Sequence, residues 1–150
     1  MIRIAESSDF DVCLKLYSIF RTDMEGSLYG EIYSSSVLLQ DILRERISDG
    51  LVYVMCTDSA VIGMCMLHRG VYRHVLEYCD IDMLYICPTY RRKGYGTSLM
   101  NYILTNVDVE VTLSTPSLDD KLLKFFEKFG FEPLKIFMVK EPSNDNALKT

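Results

Sequence analysis

Leu84-Tyr85-Ile86-Cys87-Pro88-Thr89-Tyr90-Arg91-Arg92-Lys93-Gly94-Tyr95-Gly96-Thr97 is the stretch that decides the fold: an apolar run, a proline stop, three basic residues, two glycines and the start of a helix. A strand feeding a glycine-containing turn at a helix N-terminus is how a chain builds an anion hole from its own backbone. Gly94 and Gly96 allow close approach with no Cβ in the way, and the first N–H groups of a helix have no intrahelical partner. Arg91, Arg92 and Lys93 add positive charge, so a pyrophosphate is the natural guest. The competing reading is a tight turn with a solvated basic face. The spacing is neither the Gly-x-Gly-x-x-Gly of a dinucleotide fold nor the Gly-Lys-Ser/Thr of a nucleotide P-loop, so those phosphate binders lose support.

Upstream of this stretch, Leu76 to Cys87 reads as a strand interrupted by Asp80 and Asp82, and a carboxylate inside so apolar a run requires a partner or a task. Leu51 to Cys56 and Val61 to Leu67 are β-branched and apolar runs joined by Thr57-Asp58-Ser59-Ala60, a hairpin pattern. Val37 to Ile47 repeats apolar residues at helical spacing and closes at Asp49-Gly50. Met24 to Ser36 is a polar loop, and Met1 to Ala5 is a short strand leading through Ser7-Ser8-Asp9, with cap chemistry, into a helix from Phe10. Downstream, Thr97 to Leu104 carries a helical apolar face, Val107 to Leu113 alternates as a strand, and Leu118 to Phe129 is a helix with Ser117 as its cap and Gly130 at its end. Phe131 to Val139 is a final strand or strand pair. The order is β-α-α-β-β-β-α-β-α-β, an α+β fold with a mixed sheet covered by helices.

Composition bounds what such a fold can do. With 150 residues and 49% hydrophobic content, the chain can bury a proper core as one domain over residues 1–141, with a disordered tail at 142–150. Its apolar runs are shorter than the roughly 20 residues of a membrane helix, which with the lack of a leader-like start points to a soluble cytoplasmic protein with no membrane partner. Sixteen Lys and Arg against 21 Asp and Glu, net charge -5, argue against nucleic acid and mildly favour a cationic partner. The five cysteines form no CxxC pair, so neither a disulfide framework nor a metal site is expected.

Arg91-x-x-Gly94-x-Gly96, preceded by Leu-Tyr-Ile-x-Pro and followed by a helix, resembles the pyrophosphate signature of the GNAT superfamily of N-acetyltransferases. Phe125-Phe126-Glu127-Lys128-Phe129-Gly130-Phe131 is similar to that family's F-Y-E-K-x-G-F helix end. Two motifs in order, on the right elements, extend the resemblance over nearly all of Met1 to Lys140. It implies a GNAT-like acyl-CoA N-acyltransferase fold, with acetyl-CoA or another short acyl-CoA as co-substrate and no metal. Backbone groups of Leu84, Tyr85 and Ile86 would pair with the pantetheine arm, the N–H groups from Arg92 to Thr97, Tyr95 and Gly96 included, would hold the pyrophosphate, and Asp119 and Phe126 would border the cofactor. An N–H near Tyr85 and Ile86 would face the oxyanion.

The acceptor is then a small-molecule or peptide amine. An amine of pKa about 10.4 is free base to only about one part in a few thousand at pH 7, so a base is needed. Asp82 is the first candidate, with Glu77 and Asp80 as rivals; alternation along the strand puts Asp80, Asp82 and Leu84 on one face. A carboxylate in such a strand equally often pairs with an arginine. Phe126 stands where the family has a tyrosine that protonates the leaving thiolate, Asp119 where asparagine is frequent and Leu122 where alanine is frequent. The acid role is therefore lost or moved to Tyr85, Tyr95, Ser114 or water. Tyr29, Glu31 and Tyr33 are candidates to meet the cationic acceptor. The alternative readings are a non-catalytic acyl-CoA-binding module and, more weakly, transfer to a hydroxyl. Exposed strand edges, those of Phe131 to Val139 above all, suit a homodimer.

Overall fold

The computed structural model describes residues 1–25, 35–115, 120–134, 138, 140 and 142. The chain divides into two compact units, Met1–Pro116 and Ser117–Thr150.

The first unit is a five-stranded sheet in the order β1-β2-β3-β4-β5, formed by Ile2–Ile4, Val52–Cys56, Val61–Tyr72, Leu76–Ile86 and Glu110–Leu113. The first four strands are antiparallel neighbours and β5 runs parallel to β4. Among the described residues of this unit, the α-helices are α1 at Phe10–Glu25, α2 at Val37–Ser48 and α3 at Tyr95–Asn106. The sheet is mixed and helix-covered, as expected from the alternation of strand and helix patterns.

Local chemistry sets the helix ends. Ahead of α1, a short 3-10 turn at Ser7–Asp9 is closed by the Asp9 carboxylate, which accepts the Glu6 N–H at 2.8 Å. The capping falls to Glu6 and Asp9 rather than to the serines. Arg3 of β1 forks onto the same carboxylate at 2.7 and 3.0 Å, tying the first strand to the first helix and holding Asp9 below the ordinary carboxylate range. Ser36 caps α2, its hydroxyl accepting the Leu39 N–H at 3.2 Å. Gly50, at φ +71°, turns the chain from α2 into β2.

The two faces of the sheet carry different layers. Val52, Val54, Met64, Met66, Met83 and Tyr85 are buried in one cluster with Cys13, Leu16 and Tyr17 of α1 and Leu39, Leu43 and Ile47 of α2. The opposite face carries Tyr53, whose ring meets Tyr102 of α3 edge-on at 5.9 Å. Leu99, Met100 and Ile103 give α3 its fully buried stripe. Burial of side chains of this size contributes about 1.5–3 kcal/mol each before the entropy of ordering them is subtracted.

Two features depart from the expected elements. β3 runs on to Tyr72 rather than ending at Leu67, and pairs with β4 as far as Tyr72 opposite Leu76. The polar-looking His68-Arg69-Gly70 stays in the strand because the Tyr78 ring covers Gly70 from the neighbouring strand. The second is a bulge. Met66 pairs with Met83 but Leu67 pairs with Ile81, leaving Asp82 as an extra residue in β4.

In the second unit, α4 at Asp120–Glu127 is followed by a turn to Gly130 at φ +88°. Phe131 to Leu134 and Met138 are not in a strand, and residues 135–137 and 139 of the expected last strand lie outside the described residues. So do residues 143–150 of the expected tail.

Candidate functional site

The bulge leaves Asp80 and Asp82 on one face, as alternation predicts, and takes Leu84 off it. Asp80 lies opposite His68, on the face of Met64 and Met66, and Asp82 reaches Arg46 of α2 on that same side. Past the extra residue the alternation is reset: Met83 and Tyr85 join the α1/α2 core, whereas Leu84 lies opposite Cys65 on the α3 side. Asp80 and Asp82 therefore share a face that Leu84 does not.

The same strand opens an edge. The last β4–β5 pair is Ile81 with Leu113, and β4 continues to Ile86 with no further β5 partner. The Cys87 N–H bonds the Ile62 carbonyl at 2.8 Å, which makes Gly63–Ile86 a non-hydrogen-bonded pair of the antiparallel ladder. By the two-residue repeat, the N–H and C=O of Leu84 and of Ile86 point away from β3 to the open edge, while those of Tyr85 point to Met64. The Ile86 carbonyl is already taken by Arg91 Nε at 2.8 Å. Arg91 also sets its guanidinium 5.1 Å from the centre of the Tyr85 ring, so it clamps the strand end to the turn.

The turn itself is built from unusual backbone. Pro88–Tyr90 forms a 3-10 turn, Arg92 sits at φ +60° and Gly94 at φ +85°. No side chain caps α3, and its first helical bond runs from the Ser98 N–H to the Gly94 carbonyl at 2.9 Å. The N–H groups of Tyr95, Gly96 and Thr97 precede that bond and have no partner in the helix. Among the described residues, a Cβ built on Gly94 would meet nothing within 4 Å. Lys93 Nζ lies 5.7 Å from the Tyr90 ring centre, and Tyr90 meets Tyr95 at 6.3 Å. Exposed cations and free amides fit a polyanion such as the pyrophosphate of an acyl-CoA.

At the end of the β4–β5 pairing, where Asp80 lies opposite Thr112, is a polar cluster. The Thr112 hydroxyl donates to Asp80 Oδ1 at 2.6 Å, and Arg46 donates to Asp82 Oδ2. Burial pushes Asp80 above the ordinary carboxylate range, Thr112 pulls it down, and neighbouring Asp82 pushes it up again. Tyr85, buried and edge-on to Phe20 at 6.4 Å, is also raised, first by burial and then by nearby Asp23. Its phenol is held protonated. Glu77 pairs with Val71 out on the β3–β4 arm, away from the open edge.

Phe126 belongs to the second unit, where its ring packs edge-on with Phe125 at 5.3 Å and with Phe131 at 5.9 Å. Asp119, Tyr29, Glu31 and Tyr33 lie outside the described residues. Arg46, His68 and Thr112 are polar residues of the cluster that the sequence reading passed over. Thr112 looks like one alternating hydroxyl in a strand, and Arg46 like one charge on a helix surface; nothing local to either marks it. The cysteines Cys13, Cys65 and Cys79 are buried, and burial raises their thiols, Cys13 to about 12, so they stay protonated. Among the described residues no cluster of His, Cys, Asp or Glu suits a metal ion, and no helix is long and apolar enough to cross a membrane.

Comparison with known proteins matches this geometry. A family model described as an acetyltransferase (GNAT) domain matches residues 48–133. A search of curated proteins returns no match. Among solved structures, a possible acetyltransferase from Clostridium difficile 630 superposes with a TM-score of 0.76 at 20% identity, covering 95% of this chain and 97% of that one. A GCN5-related N-acetyltransferase from Ralstonia eutropha JMP134 gives 0.73 at 18%, covering 94% and 97%. An aminoglycoside acetyltransferase from an uncultured soil metagenomic sample gives 0.72 at 12%, covering 95% and 98%. At such identities the structures speak for the fold, and the domain match, which spans more than half of the sequence, speaks for descent: the chain belongs to the GNAT family, whose chemistry is acyl-CoA-dependent acetyl transfer.

Proposed function

We propose that this protein transfers an acetyl group from acetyl-CoA to a primary amine by direct attack in a ternary complex. The observation that carries the reading is the open β4 edge leading straight into the uncapped turn of α3. Leu84 and Ile86 offer main-chain groups to the pantetheine arm as a further strand would, and the amides from Arg92 to Thr97 hold the pyrophosphate, with Arg91, Lys93 and the helix dipole adding positive potential. Tyr85 contributes its ring rather than its main chain. When bound, acetyl-CoA supplies an activated acyl group on a thiol leaving group.

Deprotonation falls to the carboxylates above the open edge. Asp82 is the candidate from sequence, but it is engaged by the Arg46 guanidinium, whereas Asp80 accepts from the neutral Thr112 hydroxyl and burial raises its affinity for a proton. We therefore assign the base to Asp80, with Asp82 beside it. The Leu84 N–H, the first free donor past the bulge, faces the developing oxyanion. Phe126 has no proton to give, and the Tyr85 phenol is the protonated group nearest in sequence to that donor. General acid help is typically worth about 10²- to 10⁴-fold, and a thiol of pKa about 8.5 leaves adequately without it. We further assign Tyr29, Glu31 and Tyr33 to the acceptor and Asp119 to the cofactor border, on the family resemblance alone.

The test is release of free CoA thiol from acetyl-CoA across a panel of peptide, polyamine and aminoglycoside amines. Amine-dependent thiol, with acetylated amine found by mass, is the expected result. Binding of acetyl-CoA without amine-dependent thiol contradicts it and favours a non-catalytic acyl-CoA-binding module.

A further inference from the structure

Two carboxylates crowd one face of β4. Alternation puts Asp80 and Asp82 on that face, and the bulge adds Met83 to it while turning Leu84 away, so the two acids stand side by side where the β4–β5 pairing ends. Two such groups cannot both ionise cheaply, and they bind protons as a pair. Left alone, the proton from an acceptor ammonium would be shared between them, and neither would be fixed in direction.

Arg46 breaks the symmetry. It sits in the last turn of α2 beside the buried stripe Leu39, Leu43 and Ile47, so the packing of that helix fixes where its guanidinium can reach. One end donates to Asp82 Oδ2, and the other lies 3.4 Å from His68 Nδ1. For Arg46 to donate there, Nδ1 carries the lone pair and the imidazole proton sits on Nε2. The pair is largely shielded, with side-chain exposures of 17% for Arg46 and 26% for Asp82. A guanidinium does not lose its charge in this pH range, so it is a permanent counter-ion for one carboxylate of the two. Asp80 instead accepts from the neutral Thr112 hydroxyl of β5.

We propose that Arg46 is a positioning residue for the reaction: by pairing with Asp82 and turning it toward α2, it leaves Asp80 as the carboxylate that takes the acceptor's proton. This rests on the amine-acetylation reading given above. In the step, a proton passes from the acceptor ammonium nitrogen to an Asp80 oxygen, and the nitrogen keeps the lone pair that attacks. The groups that face Asp80 are Asp82 on its own strand, His68 on β3 and Thr112 on β5; Arg46 of α2 acts on it through Asp82. The buried thiols Cys65 and Cys79 lie within electrostatic range of Asp82, and burial keeps them protonated.

The experiment is the pH profile of kcat/KM, with an amine that the wild type acetylates, for Arg46→Gln, Arg46→Lys, the double variant Arg46→Gln/Asp82→Asn, Asp80→Asn and His68→Asn. Loss of the cation favours every protonated form of the pair, so Arg46→Gln is expected to move the low-pH limb upward, raising the pH 8 to pH 6 activity ratio by roughly tenfold or more. Arg46→Lys keeps the charge and is expected to hold the limb near the wild-type position. The double variant removes both members of the ion pair and should bring the limb back to or below the wild type. A uniform fall in activity with the limb unmoved in Arg46→Gln would mean a merely structural role and overturn the proposal, as would a limb that disappears in His68→Asn. Should Arg46→Gln fail to fold, a limb in the double variant that lies above the wild type overturns it equally. Retention of the limb in Asp80→Asn instead defeats the assignment of the base itself, whatever Arg46 does.

Discussion

At the scale of single residues, the site turns on small asymmetries between like groups. Asp80 and Asp82 differ by two positions in sequence, yet Asp82 holds a guanidinium and Asp80 a hydroxyl. The Thr112 hydroxyl favours the ionised form of Asp80, opposing the effect of burial. Thr112→Val keeps the shape and removes the donor, so Asp80 should bind its proton at still higher pH. The expected outcome is a low-pH limb of kcat/KM displaced upward, with activity at pH 6 falling severalfold more than at pH 8 and acetyl-CoA affinity unchanged. A limb in the wild-type position would show that Thr112 does not touch the titrating group. None of this was legible from sequence. The strand pattern showed that carboxylates sat where they needed partners, but the partners come from α2 and β5, 36 and 32 residues away along the chain.

At the scale of elements, legibility followed the strength of the local pattern. The helices from Phe10 and Val37 and the strands beginning at Val61 and Leu76 were readable because their apolar residues repeat at one clear period. The extension of β3 through Gly70 was not, since the ring that covers the glycine is supplied by Tyr78 on the next strand. Nor was the bulge, which inserts one residue without any Gly or Pro signal and so reversed the expected face of Leu84. Another glycine in β3 now has a reason. A Cβ at Gly63 would stand 2.5 Å from Ile86 Cδ1 and 2.7 Å from the Tyr85 carbonyl oxygen, at the very end of the open edge. Gly63→Ala is therefore expected to cost about 1–3 kcal/mol, the usual penalty of overpacking. Chemical denaturation would register this as a lower midpoint at unchanged slope; a wild-type midpoint would mean that the strand ends yield without strain.

At the scale of the molecule, the helices on one face and α3 on the other leave a single strand, β4, shared between both halves of the chemistry. Its edge groups at Leu84 and Ile86 lead toward the turn at Gly94, while its side chains at Asp80 and Asp82 point to the α1/α2 layer. Cofactor and acceptor would thus reach the same strand from different directions, as direct transfer requires. The strand, turn and helix start around Gly94 were legible in sequence because a proline stop, basic residues and glycines mark them locally. The proposed amine acceptor was not, because amines of many kinds ask only for a carboxylate and some room.

The most direct measurement is isothermal titration of the folded protein with acetyl-CoA, run beside Gly94→Asp. Among the described residues nothing lies within 4 Å of a Cβ placed on Gly94, and its φ of +85° makes a substitution cost about 1–2 kcal/mol of backbone strain, so the variant should remain folded while placing bulk and negative charge in the cradle. The expected result is saturable one-to-one binding by the wild type and at least about 100-fold weaker binding by the variant, equivalent to roughly 2.7 kcal/mol or more. Equal affinities in the two folded proteins, or no binding of any acyl-CoA by the wild type, would contradict a pyrophosphate held by the amides of this turn.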